Sequence, residues 1–411
     1  MTLIGRTIRW YRVNAGFTQE YIADGICSLT YLSKLENDQV EIKEEVVKEI
    51  SERLKLPSQL LLGEVDESLK GKIDRWLNYI HIYHEPQAIK RHAQLKHLFE
   101  EDLPVKLKSQ LQISRFGYYL ISDQLKNADT LMDDIVSKQP IYSRADPFSY
   151  HKFVGMYYRR KGMYINAVEH LEIAEKELAE ENDPELMLVL ANVYSRLNEI
   201  LVSNKYAQKA FQAYQKKMYY IRMIDCQIVI GINYCLVGDF YSAEVYFNRL
   251  LDIDGKHLLD KTRANIHHHI GFVQFEKGDY EKAIHSFNRT LEFDMNDSDF
   301  LNTRYLLAYI FNQQGKSKET THMIEEGLEI AKKYQHQRYV FKFNVLKMRI
   351  DQDLSPLIDY LEQEVIPFFK SNGEATELKH YYYLMGQLVY EDRKYKKSAQ
   401  YFMLAKDNFM V

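Results

Sequence analysis

Cysteine, proline and glycine are scarce in this chain. Its 411 residues include only 3 Cys, 8 Pro and 17 Gly, against 32 Tyr and 20 Phe. The cysteines, Cys27, Cys226 and Cys235, show neither a CxxC motif nor another metal-ligand spacing, which fits a reducing cytosol. We expect all three to be buried as small hydrophobic side chains. Because turn-forming residues are few and aromatic packing residues are many, the chain is predicted to be almost entirely helical.

Long apolar runs are also missing. The most apolar stretch, from Ile228 to Gly238, is interrupted by Asn233 and is too short to cross a bilayer. The N-terminal segment, MTLIGRTIRWYR, lacks the uninterrupted apolar core of a signal peptide. These features predict a cytoplasmic protein that does not associate with a membrane.

Catalytic signatures are absent as well. The chain contains no GxSxG, Walker-type, HExxH or GxGxxG arrangement, and its carboxylates alternate with lysines on predicted exposed helix faces. Three consecutive histidines, 267 to 269, would point about 100° apart on a helix, so they cannot converge on one metal ion. We therefore predict no enzymatic activity, no metal and no cofactor.

The first 37 residues have the spacing of a helix-turn-helix DNA-binding domain. A first helix is predicted at residues 2–14, with Gly16 after it as a left-handed cap, and Thr18 should cap a second helix. Ser28 should cap a third helix from Leu29 to Glu36. Leu32 and Leu35 are predicted to face the core, which leaves the opposite side of this helix for base edges.

These residues resemble the phage-repressor (Cro, C1 or Xre) type of helix-turn-helix over about 60 residues. The resemblance rests on Arg12, Gly16, Thr18, Gln19, Ala23 and the run from Ser33 to Asn37. It implies that Gln19 and Asn37 hold phosphates, that Arg12 pairs with Glu36, and that the major groove is met by Ser28, Leu29, Thr30 and Lys34. On the residues alone, Gln19 could instead assist capping and Lys34 could be an ordinary solvated lysine. The chain departs from the family after Asn37, where Asp38 replaces the usual glycine.

Charge and composition set the limits of this domain. The whole chain has a net charge of −4, and residues 1–37 are nearly neutral. Since phosphate contacts gain their affinity from counterion release, one such domain should bind a half-site weakly, which predicts a homodimer. A fourth helix, 43–54, and the segment 57–63 should complete a domain of residues 1–63. The polar residues 64–71 are predicted to be a linker.

Residues 72–411 repeat themselves. Three clear copies share the pattern G-x6-G-x-(Y/F)-x2-A-x3-(L/F) and begin at Gly155, Gly231 and Gly271. They resemble tetratricopeptide repeats, and GDYEKAIHSFNRTLEFD at 278–294 is close to the consensus. We estimate about nine repeats, each a pair of helices that buries its apolar face against its neighbours. The predicted fold is all-α: a helix-turn-helix domain followed by a right-handed superhelix of tetratricopeptide-like helix pairs.

The concave wall of such a superhelix is lined by the first helix, here called the A helix, of each pair. In the repeat frame, Asp225, Asn265 and Asn302 form a row on this wall. Carboxamides are suited to an extended peptide because each offers one donor and one acceptor to the peptide backbone. The other predicted peptide-binding residues are Arg159, Asn192, Asn198, His268, Tyr305 and Asn312. The alternative is that a solvated concave surface simply carries polar residues.

Taken together, the two parts resemble the Rap/Rgg/NprR/PlcR/PrgX group of peptide-pheromone receptors of Gram-positive bacteria, and NprR-like members most of all. The resemblance implies a cytoplasmic quorum-sensing transcription regulator. It would bind double-stranded promoter DNA as a homodimer and be switched by a short imported signalling oligopeptide in the repeat groove. A higher oligomer with ligand is an alternative.

Two other interpretations remain open. In the first, the repeats form a protein-interaction module that sequesters a phosphorelay response regulator, as Rap proteins do. In the second, the chain is a phage arbitrium-type receptor with the same outline.

Overall fold

The computed structural model describes residues 3–178, 183–252, 258–293, 300–352, 354–372 and 374–407. Within these ranges the regular structure is helical and contains no strand. The expectation of an all-α protein is therefore confirmed.

Five helices form the N-terminal head, residues 3–63. They are α1 (Ile4–Asn14), α2 (Gln19–Ala23), α3 (Leu29–Glu36), α4 (Glu44–Arg53) and α5 (Ser58–Leu62). Thr18 and Ser28 cap α2 and α3 as predicted, because their hydroxyl groups accept hydrogen bonds from the backbone N–H groups of Tyr21 and Tyr31.

The repeats, residues 67–407, follow the head. Their helices are α6 (Glu67–His81), α7 (Glu85–Leu95), α8 (Val105–Ile121), α9 (Leu125–Ser137), α10 (Gln139–Ala145), α11 (Pro147–Arg160), α12 (Tyr164–Glu177), α13 (Pro184–Arg196), α14 (Ile200–Lys216), α15 (Tyr220–Leu236), α16 (Phe240–Asp252), α17 (Asp260–Glu276), α18 (Tyr280–Leu291), α19 (Leu301–Gln313), α20 (Ser317–Lys333), α21 (Gln337–Ile350), α22 (Leu354–Tyr360), α23 (Ile366–Ser371), α24 (Ala375–Glu391) and α25 (Tyr395–Asp407). A 3-10 turn, Lys96–Glu100, follows α7, and a π turn, Leu361–Val365, joins α22 to α23.

These helices make nine successive pairs in the described part of the chain, and the second helix of each pair is called the B helix. The short helix α10 is extra, and α22 and α23 together form one B helix. The estimate of about nine repeats is confirmed. The Cα positions group into two compact units: unit 1 contains residues 1–160 and 169–181, and unit 2 contains residues 161–168 and 182–411.

The head has its own hydrophobic core. Ile8, Ile22, Leu32, Val47 and Ile50 are completely buried, each on a different helix except for the last two. Burying a large aliphatic side chain contributes about 1.5–3 kcal/mol, so these side chains hold the short helices α2 and α3 together. Cys27 packs at the edge of this core and is only half buried, unlike Cys226 and Cys235.

The predicted linker, residues 64–71, is extended only as far as Asp66. The Asp66 carboxylate accepts hydrogen bonds from the N–H groups of Ser68 and Leu69, so α6 begins at Glu67 and includes the second half of the segment. Gly71 lies inside α6 rather than in a loop.

The head also contacts the first repeats, which belong to the same compact unit. The Trp10 indole Nε1 donates a hydrogen bond to the Ser137 carbonyl oxygen at 2.6 Å, and the Lys138 ammonium lies 5.6 Å from the centre of the indole ring. The division into functional domains at residues 63 and 72 stays a prediction, since the compact units follow a different boundary.

A close contact between glycine and phenylalanine recurs in the repeats. A Cβ atom added to Gly231, on α15, would lie 2.7 Å from the ring of Phe247 on α16. At Gly271, on α17, it would lie 2.6 Å from the ring of Phe287 on α18. Both rings are fully buried. The glycines and aromatics of the repeat pattern are therefore packing partners, and larger residues at the glycine positions are excluded.

The turns between paired helices require left-handed backbone. Gly238 and Gly278 have φ angles of 78° and 79°, where a side chain is unfavourable. Asn198 occupies the same kind of turn after α13 with a φ angle of 65°. Asparagine tolerates this conformation better than most residues. Asn198 was predicted on the peptide-binding wall, and the structure places it in this turn; its contact with a peptide remains a prediction.

The glycine–phenylalanine contact can be tested by Gly271→Ala. The added methyl group meets the immobile Phe287 ring, so we expect the free energy of unfolding to fall by about 1–3 kcal/mol, measured by denaturant unfolding. Gly71→Ala is the matched control, because no atom lies within 4 Å of its added Cβ. This control should be neutral or gain about 0.5–1 kcal/mol in helix propensity. Equal stability of the two variants would show that the close contact is unimportant.

Candidate functional site

Helix α3 presents one side to solvent and the other to the head core. Leu32, Leu35 and Glu36 are buried, whereas all four predicted base-reading residues are exposed: Ser28, Leu29, Thr30 and Lys34. Leu29 is 44 % exposed, which is unusual for a large apolar side chain. An exposed apolar group beside hydroxyl and ammonium groups suits the edges of bases, where thymine offers a methyl group.

A buried ion pair holds α3 against α1. Arg12 Nε and Nη2 donate to the two carboxylate oxygens of Glu36 at 2.6 Å and 2.8 Å. A third donor, Arg12 Nη1, reaches the Phe17 carbonyl oxygen at 2.9 Å. The hydrogen bond to Glu36 raises the pKa of the Arg12 guanidinium. The predicted pair is thus confirmed, and its two-pronged geometry fixes the orientation of α3.

Gln19 belongs to the same cluster. Its side-chain Nε2 donates to Glu36 Oε2 at 2.8 Å, so one end of its amide faces the interior. Asn37 ends α3 and lies at the surface, where its Nδ2 donates to the Ser33 carbonyl oxygen at 2.8 Å and its Oδ1 accepts from Arg9 at 3.3 Å. The predicted phosphate contacts of Gln19 and Asn37 remain predictions.

In unit 2 the structure brings two of the predicted peptide-binding residues together. His268 on α17 and Asn302 on α19 approach to 3.5 Å between Nε2 and Nδ2. His268 Nδ1 lies 2.7 Å from Thr303 Oγ1. Burial, followed by the charges of Arg196 and Lys342, lowers the pKa of His268 to about 4. The ring is therefore neutral at pH 7, and its Nε2 accepts a weak hydrogen bond from Asn302.

The predicted row continues into residues that sequence reasoning missed. Lys342 on α21 donates to Asn302 Oδ1 at 3.5 Å and to Glu377 Oε1, on α24, at 3.0 Å. Its ammonium also lies 4.5 Å from the centre of the Tyr305 ring, a cation–π contact. Lys342 follows Asn302 by 40 residues, the spacing that separates Asp225 from Asn265. This 40-residue spacing is a sequence signal for Lys342. The predicted row, however, includes only positions six residues before a glycine or alanine, and in this repeat Met348 occupies the place of that small residue.

Two glutamates, Glu374 and Glu377, lie next to Lys342 and bind a second cation. Arg338 Nη2 donates to Glu377 Oε1 at 2.6 Å, and Arg338 Nε lies 3.3 Å from Glu374 Oε2. Burial disfavours the charge of Glu377, but the Lys342 and Arg338 cations outweigh it and hold the pKa of Glu377 below its usual range. Thus His268, Asn302, Lys342, Glu377 and Arg338 form one continuous polar chain across four A helices.

Asp225, the first member of the predicted row, has local partners. Its Oδ2 accepts from Arg222 Nη1 at 2.9 Å, and Arg222 Nη2 reaches Glu185 Oε1 at 2.9 Å. Tyr214 donates to the other oxygen of Glu185. Burial raises the pKa of Asp225, while Arg222 opposes this effect. These contacts hold the Asp225 side chain against Arg222 on its own helix, and its predicted contact with a peptide remains a prediction.

The remaining predicted residues are scattered. Asn192 Nδ2 donates to the Leu188 carbonyl oxygen of its own helix at 2.8 Å. Asn265 and Asn312 are half-buried on α17 and α19. Arg159 lies at the end of α11 in unit 1, whereas the others lie in unit 2. The structure therefore supports a site centred on α17, α19, α21 and α24, and the peptide contacts themselves remain predictions.

No group of three or more metal-ligating side chains occurs among the described residues. Nor does any helix within the described ranges have the length and apolar character needed to span a membrane.

Comparison with known proteins matches both parts of the chain. A helix-turn-helix family profile matches residues 8–61, and a tetratricopeptide-repeat profile matches residues 264–296. The transcriptional activator NprA of Geobacillus stearothermophilus is 25 % identical over 403 residues, which cover 93 % of this chain and 98 % of the relative. The response regulator aspartate phosphatase A of Bacillus subtilis is 24 % identical over 347 residues, covering 76 % and 91 % of the two chains.

These similarities support the resemblance of the chain to the Rap/Rgg/NprR/PlcR/PrgX group.

Solved structures of the family share this fold. NprR in complex with its cognate peptide NprX has a TM-score of 0.73 and 19 % sequence identity, covering 84 % of this chain and 99 % of that one. A Rap protein complexed with competence and sporulation factor has a TM-score of 0.69 and 19 % identity, covering 84 % and 98 %. At these identities the likeness establishes the architecture and leaves individual site residues to be tested.

The buried ion pair of the head gives a direct test. Glu36→Ala leaves the Arg12 guanidinium buried without its carboxylate, so the head should lose about 3 kcal/mol of stability. Thermal unfolding followed by circular dichroism measures the loss. Glu45→Ala, an exposed glutamate on α4, is the control and should change stability by less than about 0.5 kcal/mol. A Glu36→Ala protein as stable as this control would contradict the role assigned to the pair.

Proposed function

We propose that this protein is a cytoplasmic transcription regulator. As a homodimer it binds promoter DNA through α3, and a short signalling peptide in the unit 2 groove switches it. The observation that carries the proposal is the union, in one chain, of an exposed recognition helix and a polar wall of repeats. The similarity to the activator NprA along almost the whole chain supports it.

DNA binding is supported by the construction of the head. The cap of Ser28 and the buried residues of α3 fix the helix, and the Arg12–Glu36 pair anchors its C-terminal end to α1. The exposed groups of α3 then stand at fixed spacing, as direct readout of bases requires. Because few cations surround them, two heads on a palindromic site are needed for useful affinity.

Peptide binding is supported by the polar chain in unit 2. Asn302 already uses one carboxamide oxygen on Lys342 and one amide hydrogen on His268, both at 3.5 Å. Such long hydrogen bonds are weak and can be exchanged for shorter bonds to a peptide backbone. A peptide would thus replace contacts between repeats, and its differential affinity for two arrangements of the repeats would supply the switch.

A second function is favoured by a specific observation. The chain is similar to the response regulator aspartate phosphatase A over 76 % of its length. We therefore also propose that the peptide-free protein sequesters a response-regulator protein. Neither proposed activity requires a catalytic residue.

A gel-shift assay tests DNA binding. We expect the purified protein to shift DNA from upstream of its neighbouring operon, with an affinity that falls as salt increases. Lys34→Ala removes an exposed cation of α3 and should weaken binding several-fold and reduce the salt slope by about 1. Lys48→Ala, on the exposed side of α4, is the charge-matched control. No shift at low salt, with or without peptides, would refute the transcription-regulator proposal.

A peptide-binding assay tests the groove. Asn265→Ala removes a half-buried carboxamide of α17 and leaves the polar chain from His268 to Arg338 intact. We expect weaker binding of a synthetic peptide selected from random heptapeptides, by about ten-fold for the loss of two hydrogen bonds. The melting temperature should change little. Gln212→Ala, on the B helix α14, is the control. Unchanged peptide affinity would remove Asn265 from the site.

A further inference from the structure

The head packs against α10 of the repeats within unit 1. Trp10, near the end of α1, donates to the Ser137 carbonyl oxygen just before α10 begins. Toward the start of α1 and the end of α10 an open cavity of about 760 Å³ lies between the two parts. Cavities of roughly 300–1,000 Å³ are typical of small-molecule sites.

The head and the linker give this cavity an aliphatic wall. Leu3, Ile4 and Leu61 of the head line it, together with the half-buried Val65 of the extended linker. None of the described residues that line it is Phe, Tyr or Trp. Planar rings bind most favourably where they can stack on an aromatic side chain, so this wall suits an alkyl chain better than a ring.

The charged side chains of the lining are mostly cationic. Arg6, Lys106 and Arg144 reach the cavity from three different helices, α1, α8 and α10. Glu177, at the end of α12, is the one carboxylate among the described lining residues. Three cations around one space, with a single carboxylate, favour a ligand that carries negative charge.

Lys106 is the cation most available to such a ligand. Arg6 already donates to Asp38, which follows α3, at 3.1 Å. Lys106 is exposed, and no carboxylate of the described residues forms an ion pair with it. It lies in the first turn of α8, where the helix carries partial positive charge. His151, which also lines the cavity, stays mostly neutral at pH 7 because burial lowers its pKa.

We propose that this cavity is a second effector site, which binds a small anion with an alkyl chain. The charged end, a carboxylate or a phosphate, pairs with Lys106, and the alkyl chain packs on Ile4 and Val65. The site lies in unit 1, so this inference is independent of the proposed peptide groove in unit 2. Because the ligand touches the head, the linker and the repeats at once, it stabilises the arrangement in which they form the cavity.

Isothermal titration calorimetry with the full-length protein tests the site. The probes share an octyl chain and differ in their charged end: octanoate, octyl phosphate and neutral octanol, each below its micelle-forming concentration. We expect at least one of the two anions to bind about ten-fold more tightly than octanol, since a hydrogen bond to a charged group contributes at least this factor. The anion with the higher affinity identifies the preferred charged group.

Two variants separate the charged end of the site from its aliphatic wall. Lys106→Gln should abolish the preference for the anion over octanol, and Lys106→Arg should retain it. Val65→Ser should weaken all three probes several-fold, because apolar contact is lost, and should leave the preference unchanged. Lys126→Gln removes an exposed lysine of α9 that does not line the cavity, so this control should bind every probe as the unmodified protein does.

Other outcomes overturn separate parts of the inference. Octanol binding as tight as that of both anions would refute the selection of an anion. A preference that survives in Lys106→Gln would remove Lys106 from the site, and unchanged affinities in Val65→Ser would place the probes outside the cavity. If no probe binds, the effector site is refuted, whereas the proposals of DNA and peptide binding are unaffected.

Discussion

The repeats depend on the close approach of a helix to the aromatic ring of its partner. Glycines at 231, 271 and 386 leave room for rings that a single methyl group would displace. Since protein interiors are packed as densely as organic crystals, such a contact sets the distance between helices within narrow limits. The positions of the polar side chains on the A helices are fixed by the same packing. His268, Asn302 and Lys342 reach one another across three helices because the apolar contacts beneath them hold the A helices in place.

The head is organised by a different interaction. Its helices α2 and α3 are too short to be stable alone, since isolated helices below about 12–15 residues are marginal in water. Their apolar side chains meet in one core, and the Arg12–Glu36 pair links the first helix to the end of the third. A buried ion pair adds little net stability, but it penalises any arrangement that separates its partners. It therefore specifies how the exposed side of α3 is presented.

Local features were predictable from the sequence because they depend on neighbouring residues. Thr18 and Ser28 cap their helices since a hydroxyl group can reach a backbone N–H three residues ahead. The repeat pattern likewise predicts a packing contact, because the glycine that begins it lies against the phenylalanine that ends it, as at Gly231 and Gly271. The start of α6 at Glu67 was missed, since a polar, glycine-flanked segment resembles a linker until Asp66 is recognised as a cap.

The candidate site was predictable only in part. Asn302 and His268 were identified from their repeat positions, and the structure brings them together. Lys342 and Arg338 were missed because their repeat lacks the small residue that marks the frame. Asp225 and Asn198 were also assigned to the wall; the structure pairs Asp225 with Arg222 and places Asn198 in a left-handed turn, and their peptide contacts remain predictions. The position of a residue in its repeat predicts the helix face on which its side chain lies. It does not predict the partners of that side chain, because these come from other helices.

The sequence by itself determined the helical class, the order of the two parts, the capped starts of α2 and α3 and the repeat length. Each of these follows from capping, periodicity and turn chemistry within about 40 residues of chain. Only the tertiary structure decided which polar side chains pair with one another. Lys342 and Arg338 on α21 both bind Glu377 on α24. Charge balance is a property of groups gathered in space from distant helices, and no local pattern in the chain encodes it.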